Sequence, residues 1–489
     1  MEKQTFEKTI TTVFFELPLL WQILHCPFFD EIMKKENSPL SLGTENVGSL
    51  LTKYAVPAII AMTAASLYNI TDSIFIGHGV GPLALSGLAI SFPLMNLAAA
   101  FGSLVGVGAS TLLSVRLGQK DYDSANHILG NTIVLNLIMG LLYSVVALLV
   151  LDPVLYFFGA SEETLPYAHD FMVVILCGNV VTHMYFGLNA LLRSSGSPQK
   201  AMYATIFTVL INLVLNPLFI FKFHWGIKGS ALATVTSQVL VLIWQFWLFS
   251  DKKYFIHFKK GIYRLRKRIV IDSLSIGMAP FLMNAASCII VVLINQGLIK
   301  YGGDLAVGAY GIVNRMAFLF VMIVMGLNQG MQPIAGYNYG AKLYGRVMEV
   351  LKKTIFGATI IMTVGFIVVE LFPHLIASIF TDEEELIDLS VTGLRYVFML
   401  YPLVGFQMVT STFFQSIDKP QKAIILSLTR QVIFLIPCLI ILPKFWGIDG
   451  VWLSMPIADF MSIALSLILL IGQLRQFKSL NNEQGKIVP

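Results

Sequence analysis

Predominantly apolar stretches long enough to cross a bilayer recur along this chain, and nothing else in it constrains the fold as tightly. They fall near residues 50–76, 87–115, 128–151, 169–192, 201–221, 229–250, 273–299, 309–336, 354–372, 390–416, 421–443 and 449–471. About 20 helical residues cross a hydrocarbon core of roughly 30 Å, so the pattern predicts twelve membrane-spanning helices. Pro and Gly inside several spans argue against helices in water, but in lipid neighbouring helices satisfy the freed backbone groups. Composition agrees: of 489 residues, 56% are hydrophobic and 12% charged, whereas a soluble chain carries about 25% charged residues. A disordered chain, a secreted disulfide scaffold and most soluble enzymes are excluded, and the expected fold class is an all-α integral membrane protein.

Orientation follows from the cations. With a cytoplasmic N-terminus, the inner loops and both tails hold 26 of the 33 Lys and Arg. The outer loops hold Lys222, Lys228, Lys300 and Lys444, and Arg315, Arg395 and Arg430 lie inside spans. This asymmetry places both termini on the cytoplasmic side of the membrane. The basic run from Lys252 to Arg268 joins span six to span seven as a linker over 251–271 that faces anionic lipid; a juxtamembrane run of this kind does not call for nucleic acid. Residues 1–48 form an N-terminal cytoplasmic or interfacial extension, in which Met33 is an alternative start, and 473–489 a cytoplasmic tail. Cys26, Cys177, Cys288 and Cys438 lie far apart with no C-x-x-C spacing, so neither a disulfide framework nor a metal site is expected.

The chain also repeats itself. Shifted by about 222 residues, Gly118-Gln-Lys120-Asp-Tyr122 falls on Gly340-Ala-Lys342-Leu-Tyr344, Pro198-Gln-Lys200 on Pro420-Gln-Lys422, and Trp225-Gly226-Ile227 on Trp446-Gly447-Ile448. Pro57 falls near Pro280. Two six-span lobes result, 49–250 and 272–472, both inserted the same way. They are related by a pseudo-two-fold axis along the membrane normal with a cavity between them.

Several motifs carry a family resemblance: Asn69-Ile-Thr-Asp72 ending span one, Arg193-Ser-Ser-Gly-Ser-Pro-Gln-Lys200 before span five, Asn212-Leu-Val-Leu-Asn216-Pro217 within it, and Gly226-Ile-Lys-Gly-Ser-Ala-Leu-Ala-Thr234 entering span six. Over residues 46 to 472 the chain resembles the multidrug and toxic compound extrusion (MATE) family, and within it the bacterial DinF-like and MepA-like branch. The resemblance implies a 6+6 antiporter that exports drug-like, mostly cationic compounds in exchange for H⁺ or Na⁺. It further implies that Asp72 carries the coupling ion, with Asn212 and Thr234 around it.

The residues support such a role independently. A carboxylate at mid-helix depth costs about 2.5–3.5 kcal/mol on the insertion scale and is a functional candidate by default. Asp72, Asn212 and Thr234 come out in the outer half of the first lobe, where a carboxylate ringed by amide and hydroxyl groups can be charged or protonated at similar cost; the bland alternative is a capping Asp at the interface. Against the pattern of the family it resembles, the chain has Asn216 where many members carry a second acid before the span-five proline, which lowers the charge available for Na⁺ and favours H⁺. Pro57 weakens span one by removing a hydrogen bond and is a candidate hinge or simply a structural kink. Tyr68 and Gln238 face the same side as Asp72 and Thr234 and are candidate cavity residues, as is the span-seven amide Asn284. In the second lobe Arg430 and Asp459 come out at matching depths on adjacent spans. They form either a static ion pair, a site for anionic or zwitterionic substrate groups, or a second coupling element.

No Walker A, His-Glu-x-x-His or Gly-x-Ser-x-Gly sequence is present, so ATP hydrolysis and intramembrane catalysis are not expected. A lipid-linked saccharide flippase is the alternative within the same superfamily and calls for a strongly cationic cavity. Expected partners are small drug-like molecules and membrane lipid, with the chain a monomer and no cofactor beyond the coupling ion.

Overall fold

The computed structural model describes residues 39–487, all helical or connecting segments, so most of the expected 1–48 extension and Cys26 lie outside the described residues. Among those residues eleven helices are long and apolar enough to span a membrane: α1 Val47–Gly79, α2 Pro82–Gly118, α3 Tyr122–Leu149, α4 Leu165–Ser194, α5 Pro198–Lys222, α6 Gly226–Ser250, α7 Lys267–Gly303, α8 Leu305–Gly340, α9 Tyr344–Leu371, α11 Pro420–Ile441 and α12 Pro443–Asn482. The twelfth, α10, is a pair, Glu384–Phe398 and Tyr401–Ser416, bent by 51°. The expected twelve spans are found when the bent pair counts as one.

Local sequence sets the ends. Asn46 caps α1 by accepting from Gly48 N at 2.9 Å, and Asp121 caps α3 by accepting from Ser124 N at 3.1 Å. Pro82, Pro198 and Pro420 open α2, α5 and α11, where the missing N–H is an orphan anyway. The outer faces of the helices carry exposed Leu141, Ile243, Trp247 and Ile468, as expected where lipid is the solvent.

The duplication is written into the backbone. Lys120 and Lys342 both take positive φ, 61° and 60°, as do Gly226 and Gly447, each at 57°. The two lobes also touch symmetrically. A Cβ on Gly118 would stand 1.9 Å from Tyr337 O, and one on Gly340 2.1 Å from Val115 O; Val115 and Tyr337 are themselves repeat equivalents. Gly108 of α2 likewise backs onto Ser273 and Gly277 of α7, while Gly330 of α8 backs onto Ala55 of α1. All these contacts lie towards the end of the bundle that carries the cationic loops. There the short helix Ser41–Thr44 is pinned to the second lobe: Arg346 Nη2 donates to Leu42 O at 3.1 Å and Glu45 O at 2.6 Å, and Asn338 Nδ2 donates to Leu42 O at 2.9 Å.

The basic connection between lobes is shorter than 251–271, because α7 begins at Lys267, and it is folded against the first lobe. Asn131 Nδ2 donates to Ile262 O at 3.2 Å and Arg264 O at 3.1 Å, while its Oδ1 accepts from Arg266 N at 2.9 Å. Ile256 and Ile262 are buried beneath it. At the other end of the chain, α12 runs on past residue 472, so the expected tail begins as helix.

Candidate cation and substrate sites

Three helices of the first lobe bring one carboxylate and five polar side chains together. Asp72 sits in the penultimate turns of α1, 9% exposed, and its Oδ1 accepts from Ser230 Oγ at 2.6 Å and from Asn216 Nδ2 in a short contact. Both donors land on one oxygen, and among the described residues no group donates to Oδ2. The network then runs deeper. Asn216 Nδ2 also reaches Asn212 Oδ1 at 3.4 Å, and Asn212 Nδ2 donates to Thr234 Oγ1 at 3.1 Å and Tyr68 OH at 3.3 Å. Tyr68 OH and Thr234 Oγ1 are 2.7 Å apart.

Helical spacing explains the convergence. Tyr68 and Asp72 are four apart on α1, Asn212 and Asn216 four apart on α5, and Ser230 and Thr234 four apart on α6, so each helix presents two polar groups on one face. Asn212, Asn216 and Ser230 are at most 1% exposed. Asn216 Oδ1 is buried without a donor, leaving one open acceptor beside the carboxylate. Just after Asn216, α5 leaves α-helical pitch for a π stretch at Leu218–Lys222, a distortion common at functional sites.

Tyr68, Asp72, Asn212, Asn216 and Thr234 are thus gathered into one network. Ser230 belongs to it too, although nothing in its small-residue context, Gly229-Ser230-Ala231, distinguishes it from a packing residue. Gln238, one turn beyond Thr234, instead accepts from Thr182 Oγ1 of α4 at 2.5 Å. Asn284 stands half-buried on α7 and joins neither cluster; among the described residues its side chain makes no hydrogen bond. Pro57 lies inside α1, which continues through it without a non-helical residue. His183 of α4 contacts Ala98 O through Nε2 at 2.9 Å, as a packing residue does.

In the second lobe Arg430 Nε donates to Asp459 Oδ1 at 2.7 Å, with the side chains 33% and 12% exposed. Arg430 lies in the π stretch Thr429–Leu435 of α11. Tyr401 of α10 lies within electrostatic reach of both, and its hydroxyl donates to Ala317 O of α8 at 2.6 Å. The other in-span cations are peripheral: Arg395 faces Glu370 at 3.9 Å, both about half exposed, and Arg315 stands over the Phe380 ring.

Two six-helix lobes of apolar, membrane-length helices, packed together at their cationic end and holding a nearly buried carboxylate between helices of the first, define a multi-pass membrane protein with a two-lobed transporter fold. The chain belongs to the MatE family, whose profile matches residues 57–218 and 276–440. It is 27% identical over 416 residues to the multidrug export protein MepA of Staphylococcus haemolyticus (strain JCSC1435), covering 85% of this chain and 91% of that one. To MepA of Staphylococcus aureus (strain MRSA252) it is 26% identical over 422 residues, 86% of this chain and 93% of that protein. Its fold matches an outward-facing multidrug resistance MATE family transporter of the MOP superfamily with a TM-score of 0.86 at 24% identity, over 91% of this chain and all of that one. A ligand complex of the MATE multidrug transporter DinF-BH matches with a TM-score of 0.81 at 35% identity, over 88% and 96% of the two chains.

Proposed function

We propose that this protein exports drug-like, mostly cationic compounds by exchanging them for protons, with Asp72 as the group that carries the proton. The relatives named MepA support export of drugs as the class of activity. The observation that carries the coupling reading is the placement of Asp72: one carboxylate, nearly buried among helices, with both donors on Oδ1. Oδ2 is the atom that takes the proton. While ionised, Asp72 attracts a cationic substrate; once protonated, the site is neutral and releases it. Tyr68, Asn212 and Thr234 hold the cation side of the cavity in shape.

Proton is preferred to sodium because the immediate neighbours of Asp72 are donors. The Asn216 amide and Ser230 hydroxyl point hydrogens at the carboxylate, whereas a sodium ion needs several oxygens facing inward. The flippase alternative is weaker, since of the three in-span arginines Arg315 and Arg395 lie at the periphery and leave only Arg430 inside a lobe. During transport the lobes are proposed to rock about their common end, opening Asp72 to each membrane face in turn.

Export of a fluorescent cation, read as its uptake into everted vesicles with the proton and sodium gradients collapsed separately, tests this. Wild-type efflux should stop when the proton gradient is removed and persist without sodium, and Asp72→Asn should fall to the level of empty vesicles. Unchanged efflux by Asp72→Asn would remove that residue from the mechanism.

A further inference from the structure

Resting on the export reading above, we infer that the Arg430 guanidinium is the receptor for the carboxylate of those exported cations that also bear one, and so sets how well they are moved relative to pure cations.

Arg430 commits one of its donors: Nε bonds Asp459 Oδ1, and among the described residues neither Nη nitrogen has an acceptor. An ion pair kept in a membrane protein for stability is best enclosed and bidentate, because each unmet donor there is costly. Here the contact is single, and a third of the arginine side chain is exposed. The open fork is a planar pair of N–H groups, the geometry that matches a carboxylate.

The first lobe provides an internal control. At the offset of the duplication Arg430 corresponds to Thr208 and Asp459 to Gln238. Thr208 bonds its own helix at Ala204 O, at 2.9 Å, and Gln238 pairs with Thr182. Two neutral side chains, each bonded elsewhere in the first lobe, therefore serve at the same two positions in the same fold, so packing does not demand the charges. Nor does the pair face lipid: Asp459 and Tyr401 approach it from α12 and α10, while Ile425, Ile433 and Ile440 form the exposed side of α11.

Charge also selects the ligand. Arg430 and Asp459 sum to zero and exert no strong net field on a bare anion. A carboxylate seated on the Nη groups leaves the assembly at minus one, and a ligand that brings its own cation cancels it. A zwitterion fits this condition where a simple anion does not.

The test compares rhodamine 6G, an ethyl ester and a pure cation, with rhodamine 19, the same dye as its free acid. Initial rates of proton-driven uptake into vesicles containing the full-length protein are measured for wild type and for the double variant Arg430→Thr with Asp459→Gln, which copies the first lobe's two neutral side chains and leaves no orphaned charge. The readout is the acid-to-ester ratio, so a general loss of activity does not enter it. Wild type should move both dyes, and the ratio should fall at least tenfold in the double variant. An unchanged ratio, or a wild type that moves the ester but not the acid, overturns the inference. Failure of wild type to move either dye counts against the export reading instead.

Discussion

At the scale of single residues, Asp72 is set apart by the asymmetry of its hydrogen bonds. A hydrogen bond to a charged group contributes about 1.5–3 kcal/mol, so removing the Ser230 hydroxyl should weaken the hold on ionised Asp72 without removing the titrating group. Ser230→Ala is therefore expected to lower proton-driven efflux severalfold while leaving it dependent on the proton gradient, in contrast to Asp72→Asn, which should abolish it. A second residue makes a stability prediction with a definite sign. Asp418, in the turn between α10 and α11, has φ of 56°. Desolvation and then the Asp272 carboxylate push its carboxyl above the ordinary range, against Arg116 and Lys419. A raised carboxyl pKa means that the folded state binds the proton more tightly than the unfolded one. The ionised group thus subtracts stability at neutral pH, and the loss disappears as pH falls below the unfolded value. Asn tolerates the same left-handed backbone, so Asp418→Asn should raise the melting temperature in detergent at pH 7 and leave it unchanged near pH ~3. Most of the first-lobe network was legible because an acid or amide inside an apolar span has few innocuous explanations. Ser230 was not legible, since a serine satisfied by its own helix costs little and looks the same in sequence.

At the scale of helices, the crossing of α2 and α8 leaves no room for a side chain. Overpacking a tight interface costs about 1–3 kcal/mol, and here the neighbours are backbone carbonyls that cannot rotate aside. Gly118→Ala and Gly340→Ala should each lower the melting temperature by several degrees. Because the two glycines share one crossing, separating the helices for the first methyl also makes room for the second. The double variant should therefore lose less than the sum of the single losses; strict additivity would show that the crossings yield independently. Helix number was readable from apolar length, but helix shape was not. The break in α10 at Met399-Leu400 lies within an unbroken apolar run, and only Pro402, which crowds the residue before it, hints at the bend. The π stretches of α5 and α11 are marked in sequence only by the prolines beside them, Pro217 and Pro437. They change hydrogen-bond register without changing which residues are apolar. The inter-lobe connection reads as a basic linker in sequence because its anchors are Asn126 and Asn131 on a distant helix, and a contact between α3 and residues 257–266 is invisible in either segment alone.

At the scale of the whole molecule, the lobes meet at the cationic end through backbone contacts that obey the internal two-fold, and through one element that does not. The helix Ser41–Thr44 precedes α1 and has no counterpart before α7, yet it is held by Arg346 and Asn338 of the second lobe. Any rocking that opens this end must either release that helix from the second lobe or carry it away from α1. The Arg346 guanidinium makes two bonds to its carbonyls, so removing the side chain should favour opening by on the order of 1.4 kcal/mol, a tenfold change in population. Ser114 reports on this: it is fully buried, and Gly336 of the opposite lobe packs against its Cβ. In a chain with its native cysteines replaced by serine, Ser114→Cys should react slowly with a membrane-impermeant thiol reagent added from the cationic side. Adding Arg346→Ala should speed that reaction about tenfold without speeding labelling from the opposite face. Equal rates with and without Arg346 would show that the glycine crossings alone hold this end shut, and that the N-terminal helix rides with the second lobe throughout the cycle.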